Sequence, residues 1–480
     1  MTESNSSSSP APLTIMWFRQ DLRLADNPAL AAAAAFGPVL PLYILDDANA
    51  GTWKLGGASR WWLHHSLCRL NESLNGKLWV VSGEAESELL RLCESLPIKK
   101  VVCSRCYEPW RRRRDARIER VLRERGIQFD AYEGSLIWEP GEALKADRTP
   151  YGVFTPFYRN LLRTQPVDSL LPKPSGMTLA DCPQPDNRID ALGLTPRIPW
   201  DAEFHDHWTP GEQGALDQLD RFLQNGVLDY KAKRDYPAIS GVSTLSPHLH
   251  FGEVSPLRVW HEARMIAADA NAEPWLRQLC WREFSYHMLF HHEHLCEANL
   301  DARFNGFPWR ADNAKLQRWQ RGTTGYPLVD AGMRELWRTG TMHNRVRMVT
   351  ASFLTKNLMV HWLEGARWFW DCLVDADLAN NSFGWQWVAG CGADAAPYFR
   401  IFNPVTQSKK FDPEGEYLRR WLPELRDLPS RYIHAPWEAN ANELAFAGVR
   451  LDEDYPAPMI DLRFSRERAL EAWSALRLGD

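Results

Sequence analysis

The chain has 480 residues, of which 45% are hydrophobic and 24% charged, and its formal net charge is −5 at pH 7. The length predicts two domains rather than one simple core, and the composition is that of an ordinary globular protein. The acidic balance argues against a surface that coats nucleic acid throughout, although it leaves room for one basic groove. Tryptophan is unusually frequent, with 23 residues. Core packing accounts for most buried indoles, so only indoles in a specific pattern indicate function.

The chain begins with a polar, Ser-rich stretch at residues 1–12, which is typical of a disordered tail and not of a signal peptide. No apolar run approaches the ~18 residues of a membrane helix. Nine scattered cysteines exclude a disulfide scaffold and predict a cytoplasmic protein in a reducing compartment. Cys103 and Cys106 form a lone C-x-x-C, which does not predict zinc. Two ordinary thiols at a strand end are favoured over a redox motif.

Strands and helices alternate in the first part of the chain. The first helix has Asn27 as its cap and Pro28 at its first position, and Gly37 and Pro38 end it. Short apolar runs predict strands at 14–19, 39–45, 78–82, 100–103 and 127–132. Further helices are expected at 59–74, 84–95 and 109–125. This order predicts an open α/β domain over residues 13–135. The absence of G-x-G-x-x-G after the first strand argues against a dinucleotide site there.

The helix expected at 109–125 carries a dense run of arginines. A nucleic-acid patch is one interpretation of this run. A solvated helix face paired with Asp115, Glu119 and Glu124 is favoured over it.

Prolines recur between residues 165 and 199, so we expect a long, partly extended linker over 136–205. From about residue 210 the apolar residues recur at intervals of three and four, which indicates helices. The predicted helices are 214–225, 254–268, 273–296, 326–339, 345–362 and 365–374. Residues 206–480 are therefore expected to form an all-helical domain.

Residues 341–391 combine Trp, Asn, Asp and Arg at helical spacing, which suits a large flat redox cofactor. Asp377 and Asn381 lie one turn apart, and Arg347 lies on another predicted helix. A carboxylate, an amide and a guanidinium can satisfy the polar edge of an isoalloxazine, yet spacing alone favours a buried salt bridge with a helix cap. The Ser/Thr loop at 243–246 precedes a predicted helix, a place that favours phosphate, although such clusters are also common helix caps.

Several longer motifs are highly specific. They are MWFRQDLRLADNPAL (16–30), WREF (281–284), GYPLVDAGMRELWRTGTMHNRVRM (325–348), DADLANNSFGWQW (375–387) and DAAPYFRIFNPVTQSKKFDPEGEYLRRWLPEL (394–425). Through them the chain resembles the photolyase/cryptochrome family, specifically the microbial class I cyclobutane pyrimidine dimer (CPD) photolyases, over nearly its whole length. The resemblance implies a Rossmann-like α/β domain, a long linker and an all-α FAD-binding domain. It also implies light-driven repair of pyrimidine dimers in DNA by a monomer that does not bind membranes.

The resemblance implies which residues hold FAD in a folded form. They are Tyr230, Ser243, Thr244, Leu245, Ser246, Trp275, Arg282, Asn344, Arg347, Asp375, Asp377 and Asn381. In the family pattern Asn381 faces flavin N5, and Arg347 and Asp375 form an ion pair beside the ring. Trp385, Trp362 and Trp309 match the photoreduction chain, in which closely spaced indoles carry an electron from the surface to the flavin.

The resemblance also implies a slot for a dimer that is flipped out of the duplex. Trp281 and Trp387 match residues that stack on the dimer, and Asn344 and Met348 match residues that touch it. The positions expected near the DNA are Arg234, Gln278, Trp281, Arg282, Asn344, Arg345, Trp387 and Gln407. We add Arg400, Lys409 and Lys410 as phosphate contacts because of their charge.

The chain departs from the family pattern at Gln278, where members that repair CPDs usually carry Glu. An amide donates a hydrogen bond but cannot supply a proton, so we expect repair with a reduced quantum yield. Gln also occurs here in (6-4) photolyases, but those carry His at the position of Met348. In a second departure, Trp110 and Arg111 replace the Asn and Glu that contact methenyltetrahydrofolate in many microbial members. A pterin stacked on Trp110 and a missing antenna are both open.

Two other functions are less compatible with the sequence. A cryptochrome-type blue-light receptor usually has a C-terminal extension, and this sequence ends at Asp480, soon after YPAPMIDLRFSRERALEAWSALRL (455–478), so no such extension is expected. Asn381 also matches the photolyases, whereas many cryptochromes differ there. A flavin-dependent dehydrogenase is disfavoured because the glycine-rich strand–helix entry is missing.

Overall fold

A computed structural model describes the chain over residues 12–164, 166, 169–181, 188–266, 272–395 and 399–478. Of the predicted tail, only Pro12 falls within these ranges, so the prediction of disorder lies outside the described residues. The first part of the chain contains a parallel sheet, and the rest is helical.

The sheet has five strands in the order β3-β2-β1-β4-β5, and all neighbouring strands are parallel. The strands are β1 (Leu13–Phe18), β2 (Val39–Leu45), β3 (Trp79–Ser82), β4 (Ile98–Ser104) and β5 (Gln128–Tyr132). Ile15 and Trp17 of β1 pack into the core on one face, and Met16 and Phe18 pack into the core on the other. Parallel strands buried on both faces have continuous apolar sequences, which explains why they were predictable. The α/β fold is confirmed.

Four helices of eight residues or more cover the sheet. They are α1 (Pro28–Phe36), α2 (Gly57–Ser73), α3 (Ala85–Ser95) and α4 (Pro109–Glu124). The predicted cap of α1 is confirmed, because the side chain of Asn27 accepts a hydrogen bond of 3.0 Å from the backbone N–H of Leu30. Gly37 follows the last residue of the helix, as expected.

The predicted solvated face of α4 is found only in part. Arg123 pairs with Glu119 on the same helix, at the spacing of one turn. The side chain of Arg114 is only 3% exposed, however, and contacts Asp46 at 3.3 Å and Asp115 at 2.8 Å. Arg114 belongs to the arginine run that was predicted to lie on a solvated face, and for this residue the prediction was wrong. The first turns of α4 face the core of the α/β domain, where buried carboxylates pair with the guanidinium.

Cys103 and Cys106 are buried free thiols. Burial raises the pKa of both thiols, that of Cys103 to about 12. A redox-active C-x-x-C pair needs a lowered thiol pKa, so ordinary thiols at the end of β4 remain the better interpretation.

The predicted linker contains a helix that the sequence analysis missed, α5 (Phe154–Arg163). Its buried residues Phe154, Phe157, Tyr158 and Leu161 recur at the spacing of one helical face. This face packs against the helix Glu273–His291 of the helical part. The linker is therefore partly a packed helix and not simply an extended connector.

The second part of the chain is helical, as predicted. Its longer helices are α6 (Glu212–Asn225), α7 (Pro256–Ile266), α8 (Glu273–His291), α9 (Asn313–Gln320), α10 (Pro327–Thr339), α11 (Asn344–Ser352), α12 (Trp362–Cys372), α13 (Leu378–Ala389), α14 (Pro404–Phe411) and α15 (Leu462–Leu478). Shorter helices lie at Asp47–Ala50, Phe204–His207, Tyr230–Lys233, Ser246–His250, Glu416–Trp421, Ser430–Ile433 and Ala441–Phe446. Within the described ranges, no helix combines the length and the apolar character needed to cross a membrane.

The helix predicted at 345–362 is interrupted. Helix α11 ends at Ser352 and continues as a single π-helical turn over Phe353–Asn357. Met359 then has a φ of 58°, a left-handed conformation that stops the helix. Trp362 is therefore the first residue of α12, where His361 provides the cap.

Buried Glu283 on α8 joins the two parts of the chain, and we predict that it makes stability depend on pH. Its carboxylate accepts hydrogen bonds from the backbone N–H groups of Ile137 (3.1 Å) and Trp138 (3.2 Å). Burial raises the pKa of Glu283 from 4.5 to about 7. Because the folded-state pKa is the higher one, this contribution is complete below pH 4.5 and is lost as the pH rises through about 7.

The variant Glu283→Gln keeps an acceptor for both N–H groups and removes the titration. We expect wild-type stability relative to this variant to fall between pH 5 and pH 8, as measured by urea unfolding at several pH values. Parallel stability curves for the two proteins would contradict the prediction.

Candidate active site

The predicted ion pair is present in the helical part. Nη2 of Arg347, on α11, lies 3.0 and 3.1 Å from the two carboxylate oxygens of Asp375, which precedes α13. Nε of Arg347 also donates to the carbonyl oxygen of Met342 at 2.7 Å, which fixes the guanidinium. Asn381 lies on the second turn of α13, and its amide donates to the carbonyl oxygen of Ala366 at 2.9 Å. The guanidinium, the carboxylate and the amide are therefore each held in a defined orientation.

Asp377 is the cap of α13 and is almost fully buried. One oxygen accepts hydrogen bonds from Asn380, and the other accepts from the hydroxyl of Tyr286 and faces Nδ1 of His250 at 3.2 Å. Burial opposes ionisation, yet His250, Tyr286 and the nearby charge of Arg282 hold the pKa of Asp377 well below its usual range. Protein donors already surround this carboxylate, so its direct contact with a cofactor stays a prediction.

The Ser/Thr loop meets the ion pair. The hydroxyl of Ser246 donates to Asp375 at 2.7 Å, and Thr244 has a φ of 51° that turns the chain sharply. Thr244 and Ser246 are exposed, whereas Leu245 and Tyr230 are buried. The structure thus places the predicted phosphate loop next to the Arg347–Asp375 pair.

The three tryptophans of the predicted electron chain run from the surface inwards. Trp309 is half-buried, Trp362 is fully buried and Trp385 is 3% exposed. The ring of His361 lies between the first two, 4.9 Å from the centre of Trp309 and 5.6 Å from that of Trp362. A carbon added at Gly365 would lie 2.1 Å from the ring of Trp385, so only glycine lets this indole lie against α12. His361 and Gly365 were not singled out in the sequence.

The predicted dimer-stacking residues line an accessible part of the helical domain. Trp281 on α8 and Trp387 on α13 are both half-buried, and Asn344 is exposed at the start of α11. The side chain of Asn344 lies 4.0 Å from the sulfur of Met348. A carbon added at Gly384, one turn from both Asn381 and Trp387, would meet nothing within 4 Å. There is thus open space along the face of α13 between the amide and the indole.

Polar groups predicted near DNA form a second set of contacts. Nη2 of Arg234 donates to the side-chain oxygen of Gln278 at 3.4 Å, and Nε2 of Gln278 donates to the carbonyl oxygen of Pro274 at 3.2 Å. Arg345 pairs with Asp235 at 2.8 Å. Arg400, Lys409 and Lys410 are exposed, as is Asn344.

Three other predicted residues are less accessible than expected. Arg282 donates to the carbonyl oxygen of Ser135 at 3.0 Å, so its contact with DNA stays a prediction. Trp275 is buried and packs on Phe222. The side-chain oxygen of Gln407 is buried and has no hydrogen-bond partner among the described residues.

A cleft lies where the α/β part meets the helical part. Trp110 and Arg111 line it, together with His250, Trp370 and Leu378 from the helical part. Several polar atoms of the cleft lining are buried without a hydrogen-bond partner among the described residues. They are Nε1 of Trp17 and Trp53, Oε2 of Glu108, and Nε of Arg19 and Arg111. Nε of Arg111 forms an ion pair of 3.4 Å with the other carboxylate oxygen of Glu108. Buried polar atoms are normally hydrogen-bonded, so these atoms are available to a bound polar group.

Comparison with known proteins agrees with this geometry. Residues 14–175 match the family described as DNA photolyase, and residues 275–475 match the FAD binding domain of DNA photolyase. The chain is 45% identical to the deoxyribodipyrimidine photo-lyase of Agrobacterium fabrum, over 96% of this chain and 98% of that protein. It is 38% identical to cryptochrome-2 of Arabidopsis thaliana, over 97% of this chain and 79% of that one.

The fold is also that of a solved structure, a bacterial class III photolyase from Agrobacterium tumefaciens. The TM-score is 0.94 at 44% identity, and the match covers 99% of both chains. The chain therefore belongs to the photolyase/cryptochrome family. Its helical part is an FAD-binding domain, and FAD is its cofactor.

The residues present fit this cofactor. The open face of α13 between Asn381 and Trp387 gives room for a flat ring, and the Arg347–Asp375 pair with the Asn381 amide offers both donors and acceptors to its polar edge. The motifs resemble class I members, whereas the solved structure of similar fold is a class III photolyase.

Proposed function

We propose that this protein repairs cyclobutane pyrimidine dimers in DNA by light. The observation that carries the proposal is the position of Trp281, Trp387, Asn344 and Met348, which stand accessible beside the Asn381 face of the FAD-binding domain. When bound and reduced, FAD supplies upon illumination the electron that opens the cyclobutane ring, and the electron returns with no net redox change. The protein supplies binding, orientation and electrostatics.

The residues around the cofactor act through charge and hydrogen bonds. The Arg347–Asp375 pair anchors the polar edge of the ring. The hydrogen bond to the carbonyl oxygen of Ala366 fixes the amide of Asn381, so the amide faces the ring without having to reorient when the cofactor binds. Ser246 links the phosphate loop to the same carboxylate. Trp309, Trp362 and Trp385 would relay an electron from an external reductant at the surface toward the cofactor, so the indoles themselves undergo no net oxidation.

The residues around the DNA act by stacking and charge. Trp281 and Trp387 present aromatic faces to the flipped bases, a contact worth about 1–3 kcal/mol per base. Arg400, Lys409 and Lys410 contact backbone phosphates, so binding should weaken as salt rises. The proposed repair reaction does not depend on whether the chain falls in class I, as its motifs indicate, or in class III.

The alternative is a blue-light receptor, which the 38% identity to a cryptochrome favours. A (6-4) photolyase is the second alternative, suggested by Gln278. The experiment is repair of oligonucleotides that carry either a CPD or a (6-4) lesion, each in light and in the dark. We expect CPD repair in light only. Illumination without any repair would support the receptor, and repair of the (6-4) lesion alone would contradict the CPD assignment.

We predict that Gln278→Glu raises the quantum yield of CPD repair. In the wild type the amide oxygen faces Arg234, and the amide nitrogen is bound to the carbonyl oxygen of Pro274. A glutamic acid can donate a proton or a hydrogen bond to the dimer. The amide of Gln278 cannot supply a proton, and its nitrogen already donates to the carbonyl oxygen of Pro274. The measurement is dimers split per absorbed photon with fully reduced cofactor. Gln317→Glu, on helix α9 away from the slot, is the control, and an unchanged yield in Gln278→Glu would overturn the prediction.

We propose further that the cleft at Trp110 holds a second, planar chromophore such as methenyltetrahydrofolate. The aromatic lining supports a planar ring, and Oε2 of Glu108 and Nε1 of Trp17, which lack hydrogen-bond partners among the described residues, support polar substituents on it. Purified protein should show an absorption band near the folate maximum that Trp110→Ala removes. Absence of that band in protein purified with added folate would leave FAD as the single chromophore.

The sequence also predicts the domain boundaries, the oligomeric state and the location of the protein. We place the functional divisions of the chain at 13–135, 136–205 and 206–480, and we expect a monomer that acts on DNA in the cytoplasm, at the nucleoid. The described cysteines are all free thiols, which is compatible with a reducing compartment.

A further inference from the structure

Trp281 is covered on one face by a residue from the linker. The rings of Trp281 and Phe154 are stacked with their centres 3.6 Å apart and their planes 8° apart. Phe154 is the first residue of α5 and is 1% exposed. At this separation nothing fits between the two rings, so a base can stack only on the opposite face of Trp281. Phe154 therefore forms the back of the slot at this indole.

The partner ring is itself held in place. A centred stack of two aromatic rings sets their negative faces together, which is unfavourable unless something offsets it. The guanidinium of Arg277 lies over Phe154, 5.2 Å from the ring centre, and over Tyr158 at 5.1 Å. A cation at a ring face is attracted by the ring quadrupole and so offsets this repulsion. Tyr158 is anchored in turn by a hydrogen bond of 2.8 Å to Glu273.

The second indole is held at its edge by Asp394. The indole N–H of Trp387 donates to the backbone carbonyl oxygen of Asp394 at 3.1 Å. Asp394 has a φ of 57°, a conformation that Asp and Asn tolerate better than other side chains. The backbone of Asp394 thus fixes the edge of Trp387.

We propose that Phe154 and Asp394 are positioning residues that set the distance and angle between Trp281 and Trp387. The inference rests on the proposed function, in which these two indoles grip the flipped dimer. A dimer has two fused bases of fixed spacing, so the slot walls must be held apart at that spacing before the dimer enters. The linker helix supplies this support from outside the helical domain.

The test is binding of a dimer-containing duplex and of the undamaged duplex to Phe154→Leu in the dark. We expect the Kd for the dimer duplex to rise about three- to tenfold, because a stacked aromatic pair contributes roughly that factor, while the Kd for undamaged duplex stays the same. FAD content and the yield of repair at saturating DNA should be unchanged. Phe154→Met, which keeps the volume but not the flat ring, provides the same test if the leucine variant does not retain FAD.

Phe157→Leu is the matched control. Phe157 lies on the same helix and is also 1% exposed, but it packs on Phe284 and His287. We expect this variant to keep the wild-type preference for the dimer. At Asp394 we expect Asn to retain the preference and Ala to lose it, since Asn tolerates the positive φ that places the backbone carbonyl and Ala does not.

The outcomes separate this inference from the proposed function. A wild-type protein that binds both duplexes equally would overturn the proposed function, and the inference with it. A wild-type preference that survives Phe154→Leu, or that Phe157→Leu reduces equally, would overturn the positioning role alone.

Discussion

Replacing Asp375 with alanine is expected to remove most of the FAD from the purified protein. The side chain of Asp375 is 7% exposed and that of Arg347 is 26% exposed, so the variant leaves a largely buried guanidinium without its partner. Breaking a fully buried pair costs about 3–5 kcal/mol, and the partial exposure of Arg347 reduces this to about 2–3 kcal/mol. If this whole cost falls on cofactor binding, the Kd for FAD rises roughly 30- to 150-fold. The Ser246 hydroxyl also loses its acceptor. The measurement is the ratio of flavin to protein absorbance after gel filtration.

A surface ion pair provides the control. Arg338 and Glu203 lie 2.8 Å apart, but their side chains are 47% and 42% exposed. Such pairs contribute about 0–1 kcal/mol, so Arg338→Ala should retain its FAD. Stoichiometric FAD in Asp375→Ala would show that the ion pair does not hold the cofactor.

The second large effect is expected for Trp385→Phe. Trp385 lies one turn after Asn381 on α13, and its ring rests on Gly365 of α12, the helix that begins with Trp362. Of the three indoles in the predicted electron chain, it is therefore the one that shares a helix with Asn381. Phenylalanine keeps the aromatic packing but is much harder to oxidise than tryptophan. Photoreduction of oxidised FAD should be nearly abolished, as followed by the loss of the flavin absorption band under blue light with an external reductant.

This variant also separates cofactor reduction from repair. With chemically reduced FAD, Trp385→Phe should still repair dimers, because the indole chain is needed only to prepare the cofactor. Trp260→Phe is the control, since Trp260 is also 3% exposed but packs on Trp138, which is not part of the predicted electron chain. Photoreduction at the wild-type rate in Trp385→Phe would contradict the assignment of the electron chain.

Much of the fold could be predicted because local patterns determined it. The buried parallel strands have continuous apolar sequences, and the Asn27–Pro28 cap identifies the start of α1. Helix α5 was missed because the neighbouring prolines outweighed the apolar face that begins at Phe154. The break before Trp362 was missed because the apolar pattern runs through it. The positive φ of Met359 that ends the helix has no signature in composition.

The candidate site was predictable mainly through resemblance. Spacing on one helix relates Asp377 to Asn381, but it cannot show that Arg347 meets Asp375 from another helix. The contacts between distant segments were not predictable at all. Phe154, which stacks on Trp281, lies far from it in sequence, and no local pattern connects the two residues.

Product analysis under illumination tests the central claim most directly. Protein with fully reduced FAD is mixed anaerobically with an excess of a thymine-dimer oligonucleotide, and intact thymines and the redox state of the flavin are measured together. We predict many dimers repaired per flavin, in light only, with the flavin still reduced at the end. Purified protein without bound flavin, or illumination that consumes the reduced flavin and leaves the dimers intact, would contradict the account.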